Sequence, residues 1–147
     1  MTKSEILKGA IASGVINGII NGMINWFQLD KSSTISLTTD SISSQEYTVF
    51  GEAVVLGTSL AFILTSIAFF TIKIKNKPSY FPSVFSLALK NTIFVFGVLT
   101  IFALLFQRIF GEIEVHSTSA AIITGIVAGV ASIFIDFSTK STLVLGK

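Results

Sequence analysis

In the stretch SGVINGIINGMINW, residues 13–26, Asn17, Asn21 and Asn25 recur at every fourth position inside an otherwise apolar run, and Gly14, Gly18 and Gly22 do the same. Positions four apart on a helix drift by only ~40°, so each set forms a nearly continuous ridge. Ser13 extends the asparagine ridge and Ala10 the glycine ridge, with Trp26 at the far end of the latter. A primary amide carries two donors and two acceptor sites. Facing lipid, three of them would stay unsatisfied, so the ridge is expected to meet protein or water. Two chemistries fit: interhelical bonds that act as packing glue, or a polar path for an ion or small solute.

Other chemistry-bearing residues are few. Asp136 ends an apolar run four residues before Lys140, which suits an i, i+4 ion pair; the sharper alternative is a proton or cation site at the mouth of a path. Glu52, in FGEAVVLG, is its counterpart near the opposite face, where a helix N-terminus would also favour it and Arg108 could pair with it. Asn91 and Thr92 could extend a polar lining. His116 follows Glu112 and Glu114, but the spacing matches no helical ligand set, so no metal is expected. No nucleophile elbow, P-loop or dinucleotide fingerprint is present, and no pair of deep carboxylates suits an intramembrane protease. Neither enzyme activity nor a cofactor is expected. The chain has no cysteine, which excludes disulfides and thiolate chemistry.

The elements that must position these residues are membrane spans. Of 147 residues, 51% are hydrophobic and 12% charged, against about 25% charged in soluble domains. Four apolar segments are long enough to cross a ~30 Å hydrocarbon core. With their flanks they predict spans at about 9–29, 50–72, 88–108 and 117–137 in a single domain. The first resembles a signal peptide at its start, but its uncharged run is longer than an h-region, so it is read as a retained helix.

The net charge of +2 is distributed by side rather than gathered in a patch, so nucleic acid is not an expected partner. With the N-terminus inside, Lys3, Lys8, Lys73, Lys75, Lys77, Lys90, Lys140 and Lys147 are cytoplasmic, and only Lys31 and Arg108 lie outside. That asymmetry predicts both termini in the cytoplasm. The external loop 30–49 is rich in serine and threonine. Its Ser-Thr-Ile-Ser-Leu-Thr run alternates like a short edge strand, and Ser43 with Glu46 fits a capping box for the second helix. The basic loop 73–87 adds Tyr80, Phe81 and Phe85 to its lysines, a composition that suits an anionic lipid surface.

The fourth span echoes the first. TGIVAGVASIFIDF, residues 124–137, aligns on SGVINGIINGMINW without gaps, placing Thr124, Gly125 and Gly129 on Ser13, Gly14 and Gly18, and Ser132 and Asp136 on Asn21 and Asn25. Ala121, Gly125 and Gly129 make a second small-residue ridge. The two spans run in opposite directions, so direct antiparallel packing of the small ridges is the simplest expectation.

The sequence therefore predicts an all-α membrane protein, four transmembrane helices in a bundle in the cell membrane. Its functional expectation is an oligomeric channel or small-solute transporter subunit lined by Asn17, Asn21, Asn25, Ser13, Thr124, Ser132, Asp136 and Glu52. The alternative is a structural or accessory membrane protein whose stripes serve packing only. Expected partners are membrane lipid and either further copies or a larger membrane complex.

Overall fold

The structure is a computed structural model, and it describes residues 1–30, 33–38, 47–74 and 77–146. It contains four helices long and apolar enough to cross a membrane. They are α1 (Lys3–Gln28), α2 (Val49–Thr71), α3 (Phe85–Phe110) and α4 (Ser117–Leu145). Two three-residue strands, β1 (Thr34–Ser36) and β2 (Glu114–His116), lie between them.

Helix ends follow local chemistry. At α1, the Thr2 hydroxyl accepts from the Glu5 amide at 3.3 Å, and the Glu5 carboxylate accepts from the Thr2 amide at 2.7 Å, a complete capping box. At α2, Thr48 caps Gly51 at 3.2 Å. The capping pair expected at Ser43 and Glu46 lies outside the described residues. α3 stops at Gly111, whose φ of 73° is open to glycine without strain. α4 continues eight residues past the expected end at 137 and stops at Gly146, in the left-handed region. The extension is held by buried Thr139 and by the Lys140–Asp136 pair, which carry the helix beyond its apolar run.

The expected edge strand forms, and its partner is the segment just before α4. β1 and β2 pair antiparallel, with Thr34 opposite His116, Ile35 opposite Val115 and Ser36 opposite Glu114. Under this ribbon, Ile35, Leu37, Val49, Phe50, Ala103 and Ala120 form one apolar cluster. The ribbon thus ties the segment after α1 to the start of α4 and closes one end of the molecule. The start of α1 and the last turns of α4 lie at the other end, where Lys140 Nζ stands 3.9 Å from the position of a Cβ on Gly9.

α4 is the central element: it packs on α1 along one side and on α2 along another, and α2 packs in turn on α3. Among the helices, α1 has an extensive contact with α4 alone. The α1–α4 contact is backbone on backbone. A Cβ on Gly14 would stand 2.7 Å from the Gly129 carbonyl oxygen, one on Gly18 3.0 Å from that of Gly125, and one on Gly22 3.4 Å from that of Ala121. Such approach replaces side-chain volume with dispersion contacts between main chains, the attraction left to helices already surrounded by lipid. The far faces of α1 and α3, with Ile16, Ile20, Ile93 and Ile101 exposed, carry an apolar surface of the kind that suits lipid tails.

Candidate functional site

The antiparallel glycine contact sets the heights of the polar groups. With Gly18 beside Gly125 and Gly22 beside Ala121, Asn21 lies level with Thr124, and Ser13 lies level with Ser132. The asparagine ridge borders one flank of the contact, since Asn17, Asn21 and Asn25 each follow a ridge glycine by three positions. The opposite flank is an apolar groove of about 530 Å³, bounded by Val15, Ile19 and Met23 of α1 and Ile122 and Ile126 of α4. The glycine line therefore separates an oily flank from a polar one.

Along the polar flank most side chains bond back to their own helix. Asn17 Nδ2 donates to the Ser13 carbonyl at 2.9 Å, and Asn21 Nδ2 donates to the Asn17 carbonyl at 2.8 Å. Thr124 donates to Ala120 at 3.0 Å, and Ser132 donates to Ala128 at 2.7 Å. This one-turn-back bonding satisfies hydroxyls in an apolar setting without a partner helix. The amides differ, because each retains an unused acceptor. Among the described residues, neither Asn17 Oδ1 nor Asn21 Oδ1 receives a hydrogen bond. Both residues are half-buried, not sealed. Thr124 and Ser132 are fully buried.

The two ends of the flank are built differently. At the ribbon end, Asn25 is only 4% exposed, and its Oδ1 accepts from the Tyr47 hydroxyl. Burial pushes the Tyr47 phenol above its ordinary value of 10.0; Thr124 opposes this, the Glu52 charge reinforces it, and Asn25 opposes it. Tyr47 is consequently a neutral hydrogen-bond donor at physiological pH. Glu52 sits in the first turn of α2, half-buried, and forms no ion pair with Arg108. At the terminal end, Asp136, 6% exposed, accepts from Lys140 at 2.7 Å.

A second polar cluster joins the other three helices. Asn91 Nδ2 of α3 donates to Thr65 Oγ1 of α2 at 3.0 Å and to Thr139 Oγ1 of α4 at 3.2 Å, and Thr139 donates to Thr65 at 3.4 Å. All three residues are buried. The sequence marks Asn91 as polar within a span, but nothing in it pairs that residue with Thr65 or Thr139, which lie 26 and 48 positions away. Thr92 bonds to its own helix at Ala88 and takes no part.

The polar residues just before α4 do separate jobs. His116 Nδ1 caps the Thr118 amide at 3.3 Å, and Glu114 accepts from Thr34 at 2.9 Å. Among the described residues no three potential ligands gather where a metal ion could sit. Comparison with known proteins leaves the geometry to speak for itself: no protein family, no curated protein and no solved structure matches the chain.

Proposed function

We propose that this integral membrane protein is the subunit of an oligomeric channel or small-solute transporter in the cell membrane, with the polar flank of α1 as part of the lining. The observation that carries this reading is the pair of amides at Asn17 and Asn21. They lie half-exposed within a span, they bond only to their own helix, and their carbonyl oxygens can still accept. Hydrocarbon offers no donor, and an amide left wanting there is costly. Water in a path, or the solute itself, supplies the missing donors. One copy does not surround the ridge, because α1 leans on α4 alone; a second copy or another membrane subunit completes the lining. Ser13 adds a half-buried hydroxyl beside the amides, Thr124 and Ser132 lie sealed behind them on α4, and half-buried Glu52 and the paired Asp136 stand at opposite ends. Oxygen acceptors thus predominate, which favours cations or donor-bearing neutral solutes over anions.

The runner-up is an accessory or structural membrane protein. The back-bonding of Asn17 and Asn21 favours it, since half of each amide is satisfied without any solute. A single experiment separates the two. The double variant Asn17→Leu/Asn21→Leu is purified and reconstituted, then compared with the parent for subunit cross-linking and for flux of monovalent cations and small polar solutes in liposomes. Intact assembly with altered flux supports the path. Lost assembly supports the accessory role, and a parent protein that passes none of these solutes rules the path out.

A further inference from the structure

Asn25 differs from its two ridge neighbours. It is nearly sealed, whereas Asn17 and Asn21 remain half-exposed, so the ridge passes from open to covered at the ribbon end. The cover is Tyr47. Its hydroxyl donates to Asn25 Oδ1 on α1, which ties the segment before α2 to the last turn of that helix, and Thr124 of α4 favours the phenol's charged form. Tyr47 is itself 37% exposed while its hydroxyl is engaged by buried Asn25. It stands one residue before Thr48, the N-cap of α2, outside any helix, where a side chain can swing without moving a span.

We propose that Tyr47 is a gate at the ribbon end of the polar path, shut in this structure by its bond to Asn25. The proposal rests on the path reading above. The bond that holds the gate joins two uncharged groups, and burial together with the Glu52 charge keeps the proton on the Tyr47 hydroxyl. Swinging Tyr47 away would uncover Asn25 and, one helical turn further in, Asn21. The terminal end is framed by the Asp136–Lys140 pair, which lies within α4, and among the described residues no side-chain hydrogen bond joins it to α1.

The absence of cysteine makes the test direct. Asn21→Cys supplies the only thiol, and a charged, membrane-impermeant maleimide is added to sealed vesicles from the ribbon side. A second single-thiol chain, Glu112→Cys, marks which side that is, because Glu112 is exposed beside the ribbon. In the Tyr47→Phe background, the thiol at position 21 is expected to react from the ribbon side at least ~10-fold faster than with Tyr47 present. Asn25→Ala removes the other partner of the bond and is expected to act in the same direction, and Trp26 emission in each variant verifies that α1 stays docked. Reaction at unchanged rate in both backgrounds overturns the gate and leaves the path standing. No reaction from either side in any background overturns the path reading, and the gate with it.

Discussion

Replacing Gly125 by alanine strikes the α1–α4 contact at its tightest point between main chains on α4. The new Cβ would stand 2.8 Å from the Gly18 carbonyl oxygen and 3.1 Å from the Gly22 Cα. Ordinary contact begins near 3.4 Å, so the helices would have to part by ~0.6 Å, and neither neighbour has a side chain that can turn aside. Overpacking of this kind costs ~1–3 kcal/mol, or ~5- to 150-fold in the docking equilibrium of α1. Because α1 has no other extensive helix contact, that strain is not shared with the rest of the protein. Gly97→Ala is the control: nothing lies within 4 Å of its Cβ position on α3, and alanine outranks glycine as a helix former by ~1 kcal/mol. Trp26 is the single tryptophan and lines the α1–α4 groove, so its emission reports the contact. Titrating detergent-solubilised protein with sodium dodecyl sulfate should give Gly125→Ala a lower midpoint than the parent and Gly97→Ala an equal or higher one. A Gly125→Ala midpoint at or above the parent would refute the close-contact argument.

Two other outcomes follow from the polar groups. Asn91→Leu removes the donor shared by Thr65 and Thr139, and should cost ~1–2 kcal/mol in the same titration; Thr92→Val, which loses only a bond to its own helix, should cost less than half as much. Tyr47 holds its proton more tightly folded than unfolded, so its contribution is fully present below the ordinary tyrosine value of 10.0 and disappears as pH rises through the raised folded value. With Tyr80→Phe removing the other tyrosine, phenolate absorbance should rise with a midpoint above the ordinary 10.0, and a midpoint below 10 would contradict the burial of its hydroxyl.

Uninterrupted apolar length is a local property, and it marked all four spans of this chain. The boundaries differ where local polarity and tertiary contact disagree. α4 runs on to Leu145 because Thr139 finds Asn91, a partner hydropathy does not show, and because Lys140 makes the i, i+4 pair with Asp136 that their spacing predicts. The strand around Ile35 was legible from alternation, but its partner was not. Glu114–His116 is three residues long, too short for any period to declare itself, and only the ribbon makes it a strand.

The candidate site divides along the same line. The four-residue spacing of Asn17, Asn21 and Asn25 determines by helix geometry alone that they share a face and that the face adjoins a strip of glycines. Composition determines that these helices are long and apolar enough to cross a membrane. What spacing cannot decide is whom an amide bonds. Asn17 and Asn21 turn back on their own helix, whereas Asn25, on the same ridge, meets a tyrosine more than twenty residues along the chain. That difference arises because α2 begins where Tyr47 overhangs the last turn of α1. Periodicity is a short-range regularity of one helix; burial and partnership depend on which other segments arrive beside it, and only the tertiary structure decides that.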